Sequence, residues 1–409
     1  MTTINKKRQF WQYPWSYREG FLIAIALVIA GFAIGYVIDK EVKAITFPEN
    51  LVTGGVIILL LLITHLFFRK HEFVKWIASV PAAISAISAY AFLVLLMGFI
   101  RQNPEESSEF LNRTGLSHLT SSQAFLFAQM YFLVTLGMVT LKRIIPFKTK
   151  NIGFMLNHLG LWITIAAASL GAGDIQRVSM EINDREPVFV GTDQQGNMLD
   201  DMGLAIQLID FKMESYPPKA FIVDRESGDI LNLKNVFSLE MGARGNILGW
   251  EVEVVDFIEF GVGVGDKFHK VYDVGAAPAA YVTAKKDDKK LEGWISCGSF
   301  RFPGNFLDLG GNELLVMDRP APKSFVSEVK IYTEDEEVFE TEIAVNSPVT
   351  VNGWKIYQYD YNHDMGDWSD ISVIELIKDP WLPVVYTGIF MLMAGAFYMF
   401  WTGNRKKTE

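Results

Sequence analysis

The chain has 409 residues, half of them hydrophobic, yet it carries 47 acidic and 37 basic side chains for a net charge of −10. That mixture excludes a single soluble core and points to membrane spans joined to a charged, water-facing part. The single cysteine, Cys297, excludes an intrachain disulfide framework and a cysteine-built zinc cluster, and the absence of a glycine-rich phosphate loop, HExxH or CxxC leaves nucleotide, protease and thioredoxin readings without residues.

The first 20 residues combine Lys6, Lys7, Arg8 and Arg18 with Trp11, Tyr13, Trp15 and Tyr17, a basic and aromatic set that suits a cytoplasmic membrane interface. The apolar run 21–38 is too long for a cleavable signal and lacks a small-residue cleavage site, so it reads as the first span. Further spans are expected at 51–68, 78–100, 122–141, 151–173 and 381–401, each near the roughly 20 residues a helix needs to cross a bilayer.

Charge placement orients them. With the N-terminus inside, the cytoplasmic segments hold 14 basic residues: Lys6, Lys7, Arg8, Arg18, Arg69, Lys70, Lys75, Lys142, Arg143, Lys148, Lys150, Arg405, Lys406 and Lys407. The short outer loops hold only Lys40, Lys43, Arg101 and Arg113. This bias predicts both termini in the cytoplasm and the stretch 174–379 outside. That stretch carries 38 acidic and 19 basic residues, a net −19, which disfavours nucleic acid and suits either a basic partner or plain solubility. Period-2 alternation in LAIQLIDF, WEVEVVDF, SEVKIYT and TEIAVNSPVTVNGWKIYQY predicts an all-β domain, a sandwich or distorted barrel, inserted between helices five and six. The expected division is 1–77 for the N-terminal segment and first hairpin, 78–173 for spans three to five, 174–379 for the β domain and 380–409 for the last span and tail.

Six histidines occur, and two lie inside spans. His158 sits about seven residues into span five and His65 about four from the end of span two, so both fall within roughly 10 Å of the cytoplasmic face. An ionisable side chain at that depth is a functional candidate, and neutral imidazole is a common haem axial ligand. The competing readings are a His158 satisfied by a neighbouring helix's carbonyl and a His65 that reaches for the headgroups. His118 reads as a solvated loop residue, and His269 has no partner at metal-ligand spacing. Asp360, His363, Asp364 and Asp367 form a short acidic cluster better read as a solvated turn than as a cation site. Cys297 in WISCGSF has no basic neighbour before Arg301, so it reads as a buried structural thiol rather than an exchange partner.

Near the C-terminus, IAVNSPVTVNGWKIYQYDYN is followed by KDPWLPVVYTGIFMLMAGAFYMFW. This order resembles the closing signature of the ResB (CcsB-type) family of system II cytochrome c biogenesis proteins, carried here by Val345, Asn346, Pro348, Gly353, Tyr357, Gln358, Asp379, Pro380 and Gly388. The NHLGLWI start of span five is similar to the family's histidine-bearing span, which by resemblance makes His158 a haem ligand, while His65 lies in an N-terminal hairpin that the family's four-span plan lacks. The tryptophan-rich WGxxWxWD-like segment of the CcsA-type partner is absent, so the resemblance implies one half of a two-protein machine. It further implies haem b as cargo, apocytochrome c and a CcsA-type protein as partners, a bacterial cytoplasmic membrane, and a place in a cytochrome c synthetase (haem lyase) complex with no catalytic residue on this chain. The rival classes are a membrane-anchored scaffold or sensor that binds protein without haem, and a transporter. The second is disfavoured because one ionisable group stands out within a span and no inverted repeat is evident.

Overall fold

A computed structural model describes residues 11–231 and 236–405; Lys6, Lys7, Arg8, Lys406 and Lys407 of the charge count lie outside the described residues. The chain divides into two compact units, one of residues 1–175 with 379–409 and one of residues 176–378.

The first unit is helical. Its elements are α1 (Tyr17–Ile38), α2 (Glu49–Phe68), α3 (Glu72–Ile77), α4 (Val80–Phe99), α5 (Glu109–Thr114), α6 (Gln123–Ile144), α7 (Ile152–Gly171) and α8 (Leu382–Arg405). The six long helices are long and apolar enough to cross a membrane, and they overlap the six expected runs. Two short helices, α3 and α5, lie between the long ones. Helix α6 is buried along most of its length and contacts α1, α2, α4 and α7. The others keep outward apolar faces, such as Ile25 and Ile29 on α1, Leu59 and Leu60 on α2, and Phe390 and Phe397 on α8. Water would penalise such faces, and hydrocarbon does not.

Small residues set the helix contacts. Gly153 and Gly160 on α7 meet Gly388 and Gly395 on α8, each pair seven residues apart and therefore on one face after two turns. A Cβ on Gly160 would lie 2.7 Å from the Gly388 carbonyl oxygen and one on Gly395 2.6 Å from the Asn157 nitrogen, so no larger residue fits between these backbones. At the outgoing end of this pair, Asp174 accepts hydrogen bonds from the Phe47 N–H at 2.7 Å, Asn50 Nδ2 at 2.6 Å and Trp381 Nε1 at 2.7 Å. The Asp379 carboxylate accepts from the backbone N–H groups of Trp381 and Leu382 at 3.0 and 3.1 Å, which caps the start of α8.

The second unit is all β. It begins with β1 (Gln176–Asn183), β2 (Gly191–Asp193), β3 (Met198–Leu199) and β4 (Leu204–Ser215). Next come β5 (Lys219–Asp224), β6 (Phe237–Ser238), β7 (Arg244–Ile247), β8 (Trp250–Val264), β9 (Lys267–Lys270), β10 (Ala277–Lys286), β11 (Lys289–Ser296), β12 (Leu307–Gly310) and β13 (Glu313–Met317). It ends with β14 (Pro322–Thr333), β15 (Val338–Ala344), β16 (Val349–Val351), β17 (Trp354–Tyr361) and β18 (Ile371–Lys378).

The sequence suggested one sandwich or barrel; the strands instead enclose two separate cores. The first lies between the sheet β16-β17-β18-β1-β2-β3 and the sheet β15-β14-β4, filled by Met180, Ile182, Ile206, Val329, Ile356 and Ile374. The second lies between β12-β13-β5-β6 and β11-β10-β8-β7, filled by Ile222, Trp250, Val252, Val282, Ile295 and Leu315. The second lobe is inserted between β4 and β14, which are antiparallel neighbours. Backbone bonds from Tyr216 N–H to the Ala321 carbonyl and from Asp318 N–H to the Lys219 carbonyl, both 2.8 Å, hold the two connecting segments side by side. Alternating strands report that one face is buried but not which face opposes it, and so the nested insertion had no signal in the sequence.

Candidate functional site

Helix α2 runs antiparallel to α7: Asn50 Nδ2 donates to the Leu170 carbonyl at 2.9 Å, while Leu61, three turns on, packs with Trp162. Gly137 of α6 lies in this contact, where a Cβ would meet both Leu61 and Trp162. His65 is one turn beyond Leu61 on α2, and His158 is one turn before Trp162 on α7, so both imidazoles lie one turn beyond the same contact. The packing thus sets the two imidazoles at one level along the helix pair.

Their surroundings differ. The His158 ring stacks on Phe154, with centroids 3.6 Å apart, and the Arg143 guanidinium also lies over Phe154 at 4.3 Å. His158 Nδ1 lies 3.1 Å from the Phe154 carbonyl oxygen. A carbonyl can only accept, so Nδ1 carries the proton and donates it. In the neutral ring this leaves the lone pair on Nε2, the tautomer that suits an imidazole for a metal.

His65 is buried, with 5% of its surface exposed, and its Nε2 has no hydrogen-bond partner. It lines a cavity of about 230 Å³ together with Arg69, Val74, Lys75, Ala78, Met138, Lys142 and Ile145. His158 is not among those walls, so the cavity does not bring the two histidines together. The sequence counted Arg69, Lys75 and Lys142 only as topology markers. Their convergence depends on the short helix α3, which the charge pattern does not reveal.

The remaining candidates are dispersed. Among the described residues no three histidine, cysteine or acidic side chains are placed to hold a metal ion. The His363 Nε2 pairs with Asp360 Oδ1 at 2.7 Å on an exposed turn, and partial burial raises the carboxyl pKa of Asp367. His118 Nδ1 lies 3.2 Å from the Ser117 hydroxyl, and His269 is exposed on β9. Cys297 packs against the second β core, and burial pushes its thiol up to about 11.

The resemblance residues have structural roles. Asn352 and Gly353 take positive φ values of 50° and 81° in the two-residue turn joining β16 to β17, with Val351 facing Trp354 across it. Such a turn needs left-handed backbone at both positions, which Asn-Gly supplies. Asn346 turns the chain between β15 and β16 with φ 62°. Gln358 is buried and donates to Ser372 Oγ at 2.8 Å, and Ser327 of the opposite sheet donates to the same Ser372 at 2.7 Å. Buried polar groups must be satisfied, and this trio joins the two sheets through the core.

Long apolar helices with a two-core β insertion define a membrane protein with a large all-β unit between its last two long helices. One step finer, the ResB-like family model matches residues 315–370, a segment running from within β13 to the residue before β18. The turn and buried trio just described fall in it, apart from Ser372 itself; Asp379, Pro380, Gly388 and His158 lie outside it. No curated protein matches the chain.

Proposed function

We propose that this chain is the ResB-type half of a two-protein system II machine for cytochrome c assembly in a bacterial cytoplasmic membrane. The carrying observation is the ResB-like match within the β unit, in a chain whose fifth long helix bears His158 with Nδ1 engaged by a carbonyl. In this reading both termini are cytoplasmic, the β unit is periplasmic, and haem b is cargo passed toward a CcsA-type partner. His158 offers Nε2 to the haem iron at the inner leaflet, and Phe154 keeps the ring in that tautomer. The β unit holds apocytochrome c near the partner, which completes the attachment; this chain supplies positioning and no catalytic residue.

The test is a purified complex and a maturation assay in cells. His158→Gln and His158→Asn, which keep volume and a hydrogen bond but lack a basic lone pair, should lose both the low-spin haem spectrum and cytochrome c maturation. Added imidazole should partly restore the Gly variant. A His158→Gln protein with full haem content and maturation removes the ligand role, and absence of haem from the parent favours the membrane-anchored scaffold or sensor. For topology, reporter fusions after Lys150 and after Glu240 should report cytoplasm and periplasm; reversed signals end that part of the reading.

A further inference from the structure

The cavity lined by His65 is not used by the reading above. Three cationic side chains, Arg69, Lys75 and Lys142, line it, while its other half is apolar: Val74, Ala78, Met138 and Ile145. Lys75 is paired with Glu72 at 2.7 Å, and Lys142 Nζ donates to the Ala78 carbonyl at 3.0 Å. Among the described residues no carboxylate lies within ion-pair distance of Arg69 or Lys142, so the cavity keeps a net positive charge. His65 is nine-tenths buried with an unpartnered Nε2, an arrangement that ordinarily signals a missing partner.

The position narrows the ligand. Arg69 ends α2 and Lys142 lies in the last turn of α6, so the cavity opens where helices leave the hydrocarbon, the level of lipid phosphates. Beside it the last turn of α2 presents exposed Leu66, Phe67 and Phe68. A molecule with an anionic head and an apolar tail satisfies both surfaces, and basic pockets between spans are known to hold anionic headgroups. A volume of about 230 Å³ accepts a phosphate with its glycerol carbons.

We propose that this cavity is a phosphate-binding site that holds the headgroup of an anionic phospholipid, with Arg69 and Lys142 as charge partners and His65 as a hydrogen-bond donor. The site stands apart from the haem reading, since it assigns His65 to an anion and not to iron.

The experiment follows the unfolding midpoint of the full-length protein in a neutral detergent with dihexanoyl phosphatidylglycerol, dihexanoyl phosphatidylcholine or inorganic phosphate. Phosphatidylglycerol should raise the midpoint and phosphatidylcholine should not. The double variant Arg69→Gln/Lys142→Gln should weaken that protection about tenfold or more, whereas Arg69→Lys should retain most of it. His65→Leu should weaken it more than His65→Gln, which still donates, and His65→Gln should leave haem content unchanged. Equal protection by phosphatidylcholine, no protection by phosphatidylglycerol, or an unaffected double variant each overturns the proposal. Inorganic phosphate acting as well as phosphatidylglycerol, mole for mole, keeps the phosphate site and overturns the lipid as its source. Should the double variant fail to accumulate, the three ligands on the parent protein decide alone.

Discussion

The α7–α8 pair of the helical unit and the β unit are packed by different means. Between α7 and α8 the contact is made by glycine against backbone; in the β unit it is made by Ile, Val, Leu and Met meeting across two sheets. Lipid tails are as apolar as leucine, so burying leucine between spans gains little, and close approach of backbones is what remains. Water reverses this, because each aliphatic side chain buried there contributes about 1.5–3 kcal/mol. One chain thus carries two packing rules, and in the helical unit the glycine seam of α7 and α8 stands beside apolar clusters such as Leu93, Leu119 and Phe125.

The sharpest way to break this comparison is to enlarge a glycine. Gly160→Leu places a side chain where even a Cβ would lie 2.7 Å from a carbonyl, so it should cost about 3 kcal/mol or more and separate α7 from α8. Folded yield after extraction reads this directly, and Gly388→Leu should behave alike. A Gly160→Leu protein as stable as the parent shows that the contact is not the organising one.

The opposite change, removal of side-chain volume in the two β cores, comes next. Ile206→Ala and Ile222→Ala should each cost about 2–5 kcal/mol in denaturant unfolding of the full chain. Because the residues sit in different cores, the double variant should show additive losses. Losses that fall well short of the sum would mean that the two lobes share one core energetically.

A smaller effect tests the polar trio. Ser372→Ala removes the hydroxyl that both Gln358 and Ser327 reach, leaving a buried amide under-satisfied at about 1–3 kcal/mol. Replacing all three residues by apolar ones of similar shape should recover part of that loss.

The smallest effect is at Cys297. With its thiol raised to about 11 by burial, it is protonated at pH 7, and the thiolate fraction grows only as pH climbs toward that value. Alkylation of the folded protein should therefore be slow at pH 7 and rise about tenfold per pH unit up to pH 10. Cys297→Ser should leave maturation largely intact; a null phenotype at normal protein level would reveal a thiol role.

How much of this was legible in the sequence differs between the units for the same physical reason. A span is announced by length and hydropathy, and six long apolar helical segments overlap the six expected runs, the fourth of them, Glu109–Ile144, beginning well before the expected residue 122. A strand is announced only by alternation, so WEVEVVDF and SEVKIYT identified themselves as strands without naming β10 and β4 as their partners. The site was half legible. The depth of His65 and His158 came from counting residues along a helix, whereas the Phe154 bond and the basic cavity depend on packing and on α3, a helix too short to announce itself.

Asp174 and Trp381, bonded at 2.7 Å, hold the end of α7 beside the start of α8. A chain that departs and returns at one fastened point carries its insertion as a cassette. Joining residue 174 to residue 380 through a few glycines and serines leaves every α7–α8 contact formable, so the intervening 200-odd residues can be removed as one block. The same logic repeats at smaller scale where Tyr216 meets Ala321, which makes the inner lobe a cassette within a cassette.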